Sequence, residues 1–120
     1  GTQLMNIYTH VVYMTIYFGT KFPPKFRKAL HGPRRYIGSC KIENIAKGYR
    51  GSVASKKYSD MWRTEVRTNP HLFKTRVLSY HEDDTSARME EKRLQKKYKV
   101  VKSETYFNLA LASPQRFFRQ

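Results

Sequence analysis

Apolar and polar positions along the chain follow two periods, and the switches between them divide it into strands and helices. Residues Thr9 to Phe18 are rich in Val, Ile, Thr and Tyr and hold no Asp, Glu, Lys or Arg. Such a run predicts a strand buried on both faces. Gly19 to Arg34 breaks the pattern with Pro23, Pro24, Gly32 and Pro33 set among Lys21, Lys25, Arg27, Lys28 and Arg34. That composition predicts a long basic connection, with one helical turn near Phe26 to Leu30. A second strand is expected at Arg35 to Cys40. Gly48, Gly51 and Ser52 mark a turn, and Ser55 is the expected cap of a helix that carries Tyr58, Trp62 and Val66 inward and stops at Asn69 and Pro70.

The alternation resumes at His71 to Tyr80, where Leu72, Phe73, Val77, Leu78 and Tyr80 supply β-favouring bulk for a third strand. The acidic turn His81 to Asp84 opens another helix, its carboxylates favoured by the helix dipole. On that helix Ala87, Glu91, Leu94 and Tyr98 recur at spacings that place them on one face. A carboxylate on an inward stripe needs a partner or a task. Val100 to Ala112 predicts a turn and a short strand or helical turn packing Tyr106, Phe107, Leu109 and Leu111.

Charge changes the picture most. The 120 residues hold 24 Lys and Arg against 9 Asp and Glu, a net charge of +15. This excess favours a polyanionic partner and argues against small-molecule metabolism. A single cysteine, Cys40, excludes an internal disulfide and fits a reducing, intracellular setting, the cytoplasm of a host cell or its nucleoid. The longest nearly uncharged run, Ile7 to Gly19, is too short to span a bilayer, and no signal-peptide pattern is present, so no membrane association is expected. By length the chain is one domain, residues 1 to 120. His10, His31, His71 and His81 are scattered, and no His or Cys cluster offers a zinc site.

Val11-Val12-Tyr13, with Tyr36-Ile37-Gly38-Ser39 further along the chain, resembles the paired strand motifs of the GIY-YIG endonucleases. The second motif is literal; in the first, Val11 stands where the family has glycine, and the connection between the two is unusually long. The order of the remaining segments is similar to phage and mobile-element members of homing type: Gly48-Tyr49-Arg50-Gly51-Ser52, a helix, the strand around Phe73, a helix with Glu91, and a closing Tyr106-Phe107-Asn108. The likeness covers about residues 9 to 112. Together with the element pattern it implies an α/β (α+β) fold, a small three-stranded, mainly antiparallel sheet flanked by helices.

The resemblance implies a metal-dependent endonuclease that hydrolyses phosphodiester bonds in DNA, most simply double-stranded DNA. The chemistry needs an activated water, neutralised phosphoryl oxygens and a stabilised leaving oxygen. The family's metal-binding glutamate falls on Glu91, with Glu90 the less favourably oriented neighbour. Magnesium or manganese suits a site of carboxylate, water and phosphate oxygens. Tyr13 and Tyr36 would stand side by side, one assisting deprotonation of the water, which requires help from nearby cations or the metal to lower a phenol's ordinary pKa. Lys56 or Arg63 would contact the scissile phosphate, and Asn108 would support the site. Lys25, Arg27, Lys28, Arg34, Arg35, Arg50 and Lys57 are the expected backbone contacts, which carry little base information. Two other classes fit the charge: a catalytically degenerate member that binds nucleic acid without cutting it, and a basic module for structured RNA.

Overall fold

The structure, a computed structural model, describes residues 7–21, 34–53, 58–100 and 106–107. Strand β1 (His10–Tyr17) forms the middle of a three-stranded sheet, flanked by β2 (Arg35–Lys41) and β3 (Phe73–His81), and pairs antiparallel with both. The sheet and its helices make an α+β fold, as the sequence predicts. Val11, Val12 and Tyr13, whose side chains alternate between the faces, are all almost fully buried, so β1 is covered on both sides over its first half.

One face is covered by helix α2 (Ser59–Thr68) and an aromatic cluster of Tyr17, Tyr58, Trp62, Phe73 and Phe107 with Val53. Trp62 anchors it, its ring 5.1 Å from those of both Phe73 and Phe107 in edge-on geometry. The other face is covered by helix α3 (Asp84–Lys97), through Val12, Ile37, Ala87, Leu94, Val100 and Tyr106. Asp83 caps α3, its side chain accepting from the Ser86 amide at 2.7 Å, so the acidic turn marks a helix start as expected. Tyr106 forms a parallel bridge with Arg35 and brings Phe107 under the sheet.

One element is unannounced and two expectations shift. A short helix α1 (Ile42–Ala46) directly succeeds β2; it buries no residue and has no side-chain cap, so no amphipathic pattern announces it. The helix expected from Ser55 begins at Ser59, with Tyr58 as its cap residue, and Ser55 lies outside the described residues. Tyr98 does not share the inward face of α3: the helix ends at Lys97, Tyr98 is 45% exposed, and Gln95 takes the buried place. The expected helical turn near Phe26 to Leu30, and Leu109 and Leu111, lie outside the described residues. No helix among the described residues is long and apolar enough to cross a membrane.

Candidate active site

Tyr13 and Tyr36 come from neighbouring strands and stand side by side, with ring centroids 6.3 Å apart. The register pairs Tyr13 with Gly38, so the Tyr13 ring lies across the glycine of the Tyr36-Ile37-Gly38 motif. A Cβ at Gly38 would sit 2.6 Å from Tyr13 Oη, which gives that glycine a steric reason. Tyr49 packs edge-on against Tyr13 at 6.1 Å. Gly51 closes the group from outside: its φ of +117° suits glycine, and a Cβ there would lie 2.7 Å from the Tyr36 ring.

The turn bearing Tyr49 to Ser52 is tied down from several sides. Thr15 Oγ1 donates to the Arg50 carbonyl at 2.7 Å, and Trp62 Nε1 donates to the Gly51 carbonyl at 2.9 Å. Tyr36 Oη donates to the Ser52 carbonyl at 3.1 Å, while the hydroxyls of Tyr49 and Ser52 are 2.7 Å apart. Sheet, helix core and turn therefore fix the tyrosines together. Tyr13 is almost fully buried and Tyr36 half-buried. Burial pushes both phenols above their ordinary pKa, and the Glu91 charge adds to the rise at both. The chain's own surroundings thus hold them protonated.

Glu91 is buried on α3, on the side facing β2. Ser39 Oγ donates to its Oε1 at 2.6 Å, and Gln95 Nε2 donates to its Oε2 at 2.9 Å. Gln95 also donates to the Ile37 carbonyl at 3.2 Å, so the helix is latched to the strand beside the carboxylate. Cys40 is in the same neighbourhood; burial and then Glu91 push its thiol up to about 11, so it is no thiolate nucleophile at neutral pH. Glu90, by contrast, is committed to a two-point pair with Arg93, both contacts at 2.7 Å.

Both oxygens of Glu91 already accept hydrogen bonds, so a cation would have to share them. The carboxylate is oriented by hydrogen bonds, and among the described residues no three His, Cys, Asp or Glu side chains gather into a group. A cation held here would take one protein carboxylate and complete its shell with water and substrate oxygens, a coordination magnesium favours.

The cations divide. Arg63 stands exposed on α2 and pairs with Asp60 one turn back, so the structure does not bring it to the tyrosines. Arg50 sits in the turn beside them, and its buried Nε has no hydrogen-bond partner. Arg34 is half-buried, its carbonyl accepting from the Tyr17 amide, and Arg35 is exposed. Lys25, Arg27, Lys28, Lys56, Lys57 and Asn108 lie outside the described residues.

Sequence reasoning missed Ser39 and Gln95 as partners of the carboxylate, although Gln95 stands one helical turn after Glu91. It also missed Glu65, a buried carboxylate on α2 that accepts from Tyr17 Oη at 2.5 Å and Asn69 Nδ2 at 2.8 Å. Compared with protein-family models, curated proteins and solved structures, the chain matches none of them.

Proposed function

We propose that the chain is a metal-dependent DNA endonuclease of GIY-YIG type. The observation that carries this reading is the pairing of Tyr13 and Tyr36 on adjacent strands, with Glu91 oriented and buried against the other face of β2, where its charge adds to the rise at both phenols. The net charge of +15 supports a polyanionic substrate.

In the hydrolysis, a water oxygen forms a bond to phosphorus while the bond to one sugar oxygen breaks; the water gives up a proton and the departing oxygen takes one. Glu91 would hold the divalent ion, magnesium or manganese, which when bound lowers the pKa of water and offsets charge on the phosphoryl oxygens. Tyr36, half-buried and protonated with its proton on the Ser52 carbonyl, would orient the water by accepting a hydrogen bond from it. Tyr13, almost fully buried behind it, acts as a positioning residue. Ser39 and Gln95 keep Glu91 directed. Arg50, in the turn that Thr15 ties to β1, would supply the cation that meets the phosphate. A homing-type role would require further determinants of target choice.

Incubating the chain with supercoiled plasmid, with and without magnesium or manganese, tests this. Nicking is expected only with metal and should fall at least about a hundredfold in Glu91→Ala, since loss of a metal site forfeits several kcal/mol. Glu90→Ala, which only releases Arg93, should retain it. The raised phenols and the fully engaged Glu91 carboxylate favour one rival, a binding module that does not cut. Salt-sensitive retardation of the plasmid without nicking at any metal would establish that rival instead.

A further inference from the structure

On the α3 side of the sheet, the end away from Glu91 presents a row of cations of which only Arg35 is expected from the sequence to meet nucleic acid, and none belongs to the tyrosine cluster. The register sets Ile16 opposite Arg35 on β2 and opposite Lys74 on β3, and sets Met14 opposite Arg76. Residues directly opposite in antiparallel strands share a face, so Arg35, Lys74 and Arg76 project from the face that holds Val12 and Ile37. All three are exposed, and none takes part in an ion pair among the described residues. The surrounding floor is apolar, with Met14 and Ile16 half-buried beneath. None of the three strands contains an Asp or Glu, so no carboxylate on the sheet competes for these cations.

Arg35 and Lys74 are two interstrand steps apart, roughly 10 Å, with Arg76 roughly 7 Å further along β3. Duplex DNA carries a charge per ~1.7 Å of axis, so a surface of this span meets several phosphates. We propose that Arg35, Lys74 and Arg76 form a phosphate-binding track for the backbone of duplex DNA, on the sheet face opposite the paired tyrosines. It rests on the reading of DNA as the substrate, though not on cleavage. Two guanidinium forks and an ammonium on a rigid sheet suit phosphate oxygens without reading base edges.

Binding of a labelled 30-base-pair-scale duplex, monitored by anisotropy across a salt series in EDTA, decides the matter apart from any cutting. The triple variant R35Q/K74Q/R76Q is compared with K47Q/R67Q/K96Q, whose three cations are exposed but scattered; each lowers the net charge from +15 to +12. The track variant should lose about 2 to 3 from the slope of log affinity against log salt, and the scattered variant less than about 1. Equal slopes in the two variants overturn the track, whether or not the plasmid is nicked. A loss confined to vesicles of anionic phospholipid, with duplex binding unchanged, overturns it too. Loss of duplex binding in a chain that never nicks plasmid upholds the track while the nuclease reading falls. Should the triple variant fail to melt cooperatively, Arg76→Glu alone is measured, with a slope reduced by about 1 or more expected.

Discussion

Tyr17 and Glu65 show how one buried pair sets the behaviour of this protein toward acid. Burial alone would raise the Glu65 pKa, but hydrogen bonds from Tyr17 and Asn69, with the charges of Lys21 and His71, outweigh it and hold the carboxyl below its ordinary value. Its contribution to stability is therefore complete above the ordinary carboxylate pKa of about 4.3 and is lost as pH falls through the depressed folded value. Tyr17→Phe should cost about 1.5 to 3 kcal/mol at neutral pH, the usual worth of a hydrogen bond to a charged group. Denaturant unfolding across the acid range would check it: the gap between wild type and variant should narrow below about pH 4. Little of this is legible in the sequence. Glu65 lies between Trp62 and Val66 and reads as a solvated helix position, because its partner Tyr17 arrives from 48 residues away. Glu91 is legible, since it shares a helical face with Ala87 and Leu94, while its engagement with Ser39 depends on strand register that periodicity does not contain.

At the level of elements, strands and helices are readable wherever the core imposes a period. β1, β2, β3, α2 and α3 all bury a face and all appear within a few residues of their expected places. α1 packs nothing into the core and so leaves no trace, and Tyr98 misleads because its spacing suggests a continuing helix where the backbone turns after Lys97. The site belongs to the joints between elements: two strands supply the tyrosines, and a glycine turn is fastened to them by Thr15 and Trp62. Gly38→Ala tests that joint. The added Cβ would displace the Tyr13 ring, and overpacking of this kind costs about 1 to 3 kcal/mol. Thermal melting should show that loss, and metal-dependent nicking should fall by more than the folded fraction does, because Tyr36 packs on the same ring.

For the molecule as a whole, the tyrosines define an alkaline limit. The folded pKa values of Tyr13, Tyr17 and Tyr36 are raised chiefly by burial, that of Tyr17 to about 12. Stability from these phenols is complete below the ordinary value of about 10 and is lost as pH rises through the folded values. Of the nine tyrosines, the buried Tyr13 and Tyr17 and the half-buried Tyr36 should ionise only above the ordinary value and with cooperative loss of the circular dichroism signal. Tyrosinate absorbance that rises smoothly with all nine alike would contradict the packed cluster. One arrangement on β3 bears on the company the protein keeps with its own kind. Among the described residues the strand lies at the margin of the sheet, and such margins invite a second copy to add its own strand. Antiparallel docking centred on Thr75 would set Lys74 of each copy against Arg76 of the other, like charge facing like charge twice over. The cations that ready this surface for an anionic polymer are thus the ones that make each molecule a poor template for the next.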